Sequence, residues 1–415
     1  MCSRIVLLLI SFCLVSAHAA EAKYDSETNT WELNNGWIQA TFQLSEGRLT
    51  AQSLTDIRSG DVWRPPENAA APLIRMQAGQ ELYDAQRLYT VLDQFTEPTP
   101  RPGMRQSIVL RDLERTAQFT VVLDVYDDQP VIRYRVRYKN LTGSTQHVTS
   151  VNLLPWTFAA DEGRRFTAFR VNQWIIEENE RPAEFETLQT VLDTAGTPVL
   201  MTSGALGQQC GWVAVRDGQL RGLFAGWEFD GRTKASVRHE GTDGRLELAA
   251  SILDLYHPVE PNEEFAMPIA FLGLYHGDFD EAGYRTQRFV EAVLAKPAPE
   301  KGFPYVSWDS WGYERKVDDT TLRRNAELAA AAGVELFVVD LGWARMLGDW
   351  FADASKFPSG LRALSDYVHS LGMKFGLHFA LAEADPQSPV LRANPDWTAD
   401  SGASFHGGVS LCLSN

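Results

Sequence analysis

The chain is 415 residues long, and its 44% hydrophobic and 22% charged residues are typical of globular proteins and disfavour a fibre, a coiled coil or a disordered chain. At about 150 residues per domain, this length predicts more than one domain. With 38 Lys and Arg against 54 Asp and Glu, the formal net charge of −16 has the wrong sign for binding nucleic acid. The 12 Trp, 12 Tyr and 21 Phe side chains would suit the apolar faces of sugar rings, although most aromatic residues serve as core.

Residues 1–19 are predicted to form a secretory signal peptide. A basic start that contains Arg4 precedes the apolar run Ile5 to Ser16, and Ala17 and Ala19 supply a small-x-small cleavage site. The run is too short for a membrane span of about 20 residues, and no later segment reaches that length. We therefore expect a secreted or periplasmic protein with no membrane partner.

Cysteine usage disfavours disulfides and metal sites. Cys13 would suit a lipoprotein signal, but Phe12 stands where such a site needs a small residue. Cys210 and Cys412 are the only cysteines outside the predicted leader, and two distant thiols make no disulfide framework. No spacing of Cys and His suits zinc, so no metal site is predicted.

Residues 20–277 are predicted to be a large β-sandwich. Ile132, Tyr134, Val136 and Tyr138 alternate with basic residues, and a period of two places one face of a strand in the core and the other in water. Similar short runs are separated by turn residues throughout this region. It contains no catalytic triad, phosphate-binding loop or metal cluster, and its simplest interpretation is a scaffold.

Residues 278–302 are predicted to form a helix followed by a linker. Asp278 and Asp280 can cap the helix, and the segment 296–299 contains two prolines that would end it. We expect the domain boundary at this break. The apolar face of the helix is expected to comprise Tyr284, Phe289, Val290, Val293 and Leu294.

Residues 303–415 are predicted to be consecutive βα units. Three apolar strands are expected over 303–308, 334–340 and 374–379, with helices over 319–332 and 359–371 that stop at Gly333 and Gly372. This order begins either a (β/α)8 barrel or a doubly wound sheet. A dinucleotide-binding version is disfavoured because no Gly-x-Gly-x-x-Gly motif follows the first strand.

Polar and aromatic side chains gather where these strands end, and strand ends carry the chemistry of a barrel. Each has a plainer alternative as a helix cap, a buried core histidine, a packed rim aromatic or a solvated loop residue. Asp309 and Asp385 are two further acidic residues in the segments where these strands end. The predicted substrate-binding residues are Trp311, Asp340, Trp350, His378 and Glu383.

Residues 347–351, 356–361 and 371–377 strongly resemble the α-galactosidases of glycoside hydrolase family 36, and 394–397 and 411–415 are also similar to that family. The preceding β-rich region resembles the family's N-terminal β-supersandwich in length and order. The resemblance implies a multidomain fold, β then α/β. A large N-terminal β-supersandwich would be followed by the first three βα units of a (β/α)8 TIM barrel that is truncated.

The resemblance also implies roles for single residues. Asp340 matches the first carboxylate of the family's Asp-Asp-Gly-Trp motif, which clamps sugar hydroxyls, and Trp311 is similar to the aromatic wall of the same subsite. Leu341 stands where the family has its second Asp, and His378 departs from the family's motif just before the retained Phe379. These departures therefore affect the identity of the sugar more than the hydrolase class that the resemblance implies.

The family's nucleophile and acid/base residues would match positions beyond Asn415, so no catalytic residue and no cofactor are predicted in this chain. The resemblance implies a retaining two-carboxylate glycoside hydrolase that acts on terminal α-galactosides or a related sugar. An α-galactosyl transferase and a non-catalytic carbohydrate-binding protein remain alternatives. An oligosaccharide or glycoside is the expected partner, and the oligomeric state is open.

Overall fold

The computed structural model describes residues 19–67, 71–160, 163–172, 187–204, 209–241, 244–296, 302–399 and 406–412. The predicted signal peptide lies outside the described residues, except for its last position. The chain divides into two compact units, Met1–Ala295 and Lys296–Asn415. Across the described ranges, no helix has both the length and the apolar character that crossing a membrane requires.

The first unit is built from antiparallel strands. Its strands are β1 (Glu21–Asp25), β2 (Thr30–Asn34), β3 (Ile38–Ser45), β4 (Arg48–Asp56), β5 (Val62–Trp63), β6 (Met76–Ala78), β7 (Glu81–Tyr83), β8 (Tyr89–Pro98), β9 (Gly103–Asp112), β10 (Ala117–Tyr126), β11 (Val131–Asn140), β12 (Gln146–Val151), β13 (Trp156–Ala159), β14 (Phe166–Asn172), β15 (Thr187–Val191), β16 (Val199–Ser203), β17 (Gln209–Asp217), β18 (Arg221–Trp227), β19 (Thr233–Glu240), β20 (Arg245–Ile252), β21 (His257–Val259), β22 (Glu264–Ala266) and β23 (Ala270–His276).

A ten-stranded sheet is the largest layer of this unit, with the main order β15-β14-β17-β18-β23-β11-β10-β9-β8 and β22 paired to β11. A five-stranded sheet and two four-stranded sheets accompany it. Their inward faces share one apolar core that includes Trp31, Phe119 and Leu272. Several layered antiparallel sheets around one core form the predicted β-sandwich.

Strand β11 shows why the alternating pattern was informative. Ile132, Tyr134, Val136 and Tyr138 are all buried, while the basic residues between them are half-buried. The strand pairs antiparallel with β10, with Val121 opposite Val136. Because side chains of paired strands project to the same face, this register carries the apolar stripe across the sheet.

Helix α1 (Phe279–Phe289) follows, with Asp278 as its N-cap, and continues into a π-helical turn, Val290–Leu294. Ala282 and Phe289 are buried against the ten-stranded sheet beside Tyr126 and Tyr275. The expectation that Tyr284 lies on the packed face is wrong, because its side chain is 52% exposed. Val290 is exposed too, since the buried stripe runs through Ala282 and Phe289 instead.

The second unit begins with three parallel strands in the order β24 (Ser307–Asp309), β25 (Leu336–Val339) and β26 (Lys374–Leu377). Its helices are α2 (Asp319–Ala331), α3 (Gly360–Ser370) and α4 (Pro389–Ala393). Phe337 and Val339 pack with Leu322 of α2 and with Leu364 and Val368 of α3. This α/β core agrees with the first βα units of a barrel.

The predicted boundaries of the strands differ from the observed ones. The first strand begins at Ser307, since the Glu335 carboxylate accepts a hydrogen bond from the Tyr305 N–H and holds that residue outside the ladder. The predicted stops are correct, because Gly333 and Gly372 follow α2 and α3 with φ values of 82° and 86°. Beyond β26 the chain forms a separate antiparallel pair, β27 (Glu383–Ala384) with β28 (Val409–Ser410).

Candidate functional site

Asp340 ends β25 and is enclosed by its neighbours. Its backbone N–H donates to Ser310 Oγ at 2.8 Å, and its Oδ1 accepts the Leu341 N–H at 2.5 Å. The same Oδ1 lies 3.0 Å from His378 Nδ1. Only 6% of the residue is exposed. A carboxylate buried to this extent requires such partners, because desolvation of an unpaired charge is costly.

His378 follows the next strand, β26, and is fixed by its backbone as well as by its ring. Its N–H donates to Val339 O at 2.9 Å, and its carbonyl accepts the Trp343 indole N–H at 3.0 Å. The side chain is 38% exposed, much more than that of Asp340. The pair therefore has an inner member, Asp340, and an outer member, His378.

Asp309 ends β24 and completes a row of polar groups over three neighbouring strands. Its Oδ1 accepts the Trp311 N–H at 2.7 Å. Desolvation raises the pKa of the Asp309 carboxyl above its usual range, and the charge of Asp340 and a hydrogen bond to it raise this pKa further. The Trp311 N–H opposes the shift, and so does His378 when its ring is protonated. The three strand ends thus carry electrostatically coupled groups.

The two predicted sugar-binding tryptophans differ in their surroundings. Trp311 is 63% exposed. Trp350 instead packs with the buried Trp343 and with Phe379, at ring-centroid distances of 5.8 and 5.1 Å. Trp350 also has a positive φ of 50°, which a bulky residue rarely adopts without support from its surroundings. Trp311 is accessible to a ligand, whereas Trp350 is partly a packing residue.

Glu383, the fifth predicted substrate-binding residue, lies in β27 and is 8% exposed. Its Oε2 accepts the His406 N–H at 3.1 Å, and its Oε1 lies 3.2 Å from His406 Nδ1. The rings of His406 and His378 meet edge to face at 5.9 Å. Glu383 is thus linked to the Asp340 pair through two imidazoles.

Sequence reasoning missed two members of this site. Ser310 is fully buried and holds the backbone of Asp340, and its only signal was its position after Asp309. His406 had no local signal, because its partner Glu383 is 23 positions away. Asp385 accepts the Gln387 N–H at 2.8 Å and serves the turn before α4. Over the described parts of the chain, no three His, Cys, Asp or Glu side chains are placed to hold a metal ion.

Comparison with known proteins finds similarity to one family of glycosidases. Residues 289–407 match the family model described as Melibiase. The chain is 40% identical over 163 residues to the α-galactosidase AgaA of Geobacillus stearothermophilus, a stretch that covers 37% of this chain and 22% of the relative. This chain is similar to the α-galactosidases of glycoside hydrolase family 36. It is also 28% identical over 192 residues to an Escherichia coli α-galactosidase, with 44% of this chain and 27% of the relative covered.

Solved structures extend the likeness in fold over most of this chain. The α-galactosidase AgaB of Geobacillus stearothermophilus aligns with a TM-score of 0.77 and 18% identity, over 95% of this chain and 62% of that one. The galactosidase domain of AgaSK aligns with a TM-score of 0.80 and 15% identity, over 95% and 63%. In the sequence comparisons, by contrast, the chain spans only about a quarter of the length of the Escherichia coli α-galactosidase and of AgaA. The predicted resemblance to family 36 and the predicted fold class are therefore confirmed, and the chain resembles glycoside hydrolases.

Proposed function

We propose that this chain carries the sugar-binding strand ends of a secreted or periplasmic glycoside hydrolase that acts on terminal α-galactosides or a related sugar. The observation that carries the proposal is the joining of Asp309, Asp340 and His378 across three neighbouring strand ends. Strand ends of this kind hold the active site in (β/α)8 enzymes. The solved structures of AgaA in complex with raffinose and with stachyose support an oligosaccharide as substrate.

The exposed Trp311 would stack on the apolar face of a sugar ring, and the Asp340–His378 pair would bind its hydroxyls. Trp350 would support this wall from the aromatic cluster. Glu383 would contribute through His406, because its described hydrogen bonds go to that residue. No metal or cofactor is part of the proposal, since glycoside hydrolysis needs two carboxyl groups and water.

We propose that the retaining nucleophile and the acid/base residue are different from the five predicted substrate-binding residues, Trp311, Asp340, Trp350, His378 and Glu383. A retaining enzyme needs two carboxyl groups about 5 Å apart on opposite sides of the scissile bond. Asp340 and Glu383 instead direct their oxygens to neighbouring N–H groups and imidazoles. They are arranged to bind and to position.

An assay of the 415-residue chain tests the proposal. We expect binding of an aryl α-galactoside or of another sugar from a panel, without turnover. Turnover that Asp309→Asn or Asp340→Asn abolishes would contradict the assignment of these groups to binding. Absence of binding by every sugar in the panel would contradict the proposed function itself. A protein N-terminus at Ala20 after export from a bacterial host would support the predicted leader.

The two alternatives have less support. An α-galactosyl transferase would share the same strand ends and would differ in its acceptor, so product analysis with an added sugar separates it from a hydrolase. A sugar-binding sandwich would need a stacking surface. One cavity of the first unit, of about 630 Å³, has no aromatic residue among the described residues that line it. A second, of about 290 Å³, is lined by Trp37, but the guanidinium groups of Arg58 and Arg285 lie over that ring at 4.0 and 4.9 Å.

A further inference from the structure

The two members of the Asp340–His378 pair are unequally accessible. Asp340 Oδ1 already receives the Leu341 N–H and faces His378 Nδ1, and Asp309 interacts with the same carboxylate. The residue is almost completely buried. This burial, rather than the number of hydrogen bonds, restricts the access of sugar hydroxyls to the carboxylate, because both described contacts fall on Oδ1 and a carboxylate has about four lone-pair sites.

His378 is the member that a ligand can reach. A carboxylate oxygen can only accept, so the bond to Asp340 requires the proton of the imidazole to be on Nδ1. In the neutral ring, Nε2 then carries a lone pair. Within the described residues, Nε2 makes no hydrogen bond.

The orientation of this ring is also fixed. The backbone of His378 is held on both sides, by Val339 O and by the Trp343 indole N–H, and the next residue, Phe379, packs on Trp343 at 5.1 Å. The His406 ring lies edge to face with it. A ring that is held in this way presents one acceptor in one direction, which is the requirement for selective recognition.

We infer that Asp340 acts through His378, and that His378 Nε2 is the atom that accepts a hydrogen bond from a sugar hydroxyl. Asp340 is then a positioning residue, and His378 determines specificity. The inference rests on the proposed function and refines its substrate class. A carboxylate can accept hydrogen bonds from two hydroxyls, whereas a single Nε2 accepts one. This position therefore recognises one hydroxyl of the sugar.

Two substitutions of His378 separate this inference from a direct clamp by Asp340. The amide of Asn reaches about as far as Nδ1, so His378→Asn can keep the bond to Asp340 but has no group at the position of Nε2. The longer amide of Gln reaches the position of Nε2, so His378→Gln keeps the ligand-facing group and loses the bond to Asp340. His369→Gln, on α3, is the matched control.

The probe is methyl α-D-galactopyranoside with its monodeoxy derivatives, and affinity is measured by calorimetry on the 415-residue chain. We expect His378→Asn to lose about tenfold in affinity and His378→Gln about threefold, while His369→Gln binds as the unchanged chain does. One deoxy derivative should bind the unchanged chain and His378→Asn equally, because it lacks the hydroxyl that Nε2 accepts. Equal unfolding midpoints of the variants would show that the fold is retained.

The ¹⁵N NMR signals of the histidines provide a measurement that sugar would not change if His378 had a purely structural role. We expect His378 to carry its proton on Nδ1, to lose this preference in Asp340→Asn, and to show a shift of Nε2 when sugar binds. If sugar binds and shifts the Trp311 indole while His378→Asn binds normally, the inference is overturned and the proposed function stands. If no sugar binds the unchanged chain, both are overturned.

Discussion

Glu383 and His406 are joined twice, through the His406 N–H on Oε2 at 3.1 Å and through Nδ1 on Oε1 at 3.2 Å. These contacts lie between β27 and the residues that lead into β28, where the two short strands pair. A double contact of this kind links two chain segments that share only a few ladder hydrogen bonds. We therefore expect Glu383 to contribute more to local stability than to sugar affinity.

Glu383→Ala should lower the free energy of unfolding by about 1–3 kcal/mol, because it leaves the His406 N–H without its carboxylate partner. Hydrogen exchange at residues 409 and 410 should become faster. Asp366→Ala is the control, since its ion pair with Arg362 is highly exposed, and it should change stability little. Unchanged exchange at β28 in Glu383→Ala would contradict this role.

Asp309 predicts a dependence of stability on pH. Its pKa is raised in the folded chain, so the folded state binds more protons than the unfolded state above the ordinary pKa of 3.8. The contribution of Asp309 to the stability of the unchanged chain should therefore fall as the pH rises through the window that begins near 3.8 and ends at the raised pKa. Asp309→Asn removes this titration and keeps an acceptor for the Trp311 N–H.

Urea unfolding followed by tryptophan fluorescence measures this effect. The difference in unfolding free energy between Asp309→Asn and the unchanged chain should grow in favour of the variant as the pH increases from 3.8 to 7. A difference that is independent of pH would show that Asp309 is not destabilised in the folded state.

Trp311 and Trp350 should respond differently to truncation. Trp311→Ala removes an exposed ring, so it should change the unfolding free energy by less than about 0.5 kcal/mol and lower sugar affinity about three- to tenfold. Trp350→Ala removes a ring that packs on Trp343 and Phe379, so it should lower the unfolding free energy by about 1–3 kcal/mol. Calorimetry and urea unfolding measure the two quantities. Equal losses of stability in both variants would contradict the distinction.

Leu341 predicts the direction of a change in specificity. In a form of the protein with measurable glycosidase activity, Leu341→Asp would add a carboxylate next to Asp340 and raise kcat/KM for an aryl α-galactoside about tenfold relative to other aryl glycosides. Leu341→Asn is the control, because Asn has about the size of Asp but carries no charge. A gain on α-galactosides would indicate that the natural substrate is a different sugar, and a uniform loss on all glycosides would argue against this position as a determinant of specificity.

The residues that sequence reasoning placed correctly are those whose structure follows from neighbours along the chain. The alternation on β11 fixes which face is buried because successive side chains of a strand project to opposite sides. Gly333 and Gly372 end α2 and α3 because they adopt positive φ without steric cost. The motif around Asp340 and Trp350 indicated a resemblance to family 36, which the comparisons confirm.

Contacts between distant residues were decided by the tertiary structure alone. The partners Asp340 and His378 are 38 positions apart, and their meeting depends on β25 and β26 being parallel neighbours in register. The buried stripe of α1 was predicted wrongly for Tyr284, because the sheet beneath the helix selects which side it packs. Local sequence determines the conformations that a segment can adopt, whereas burial and charge pairing depend on the surfaces that folding brings together. The amino-acid sequence thus determined the elements of this protein and its resemblance to family 36, and only the tertiary structure decided that Asp340 lies behind His378.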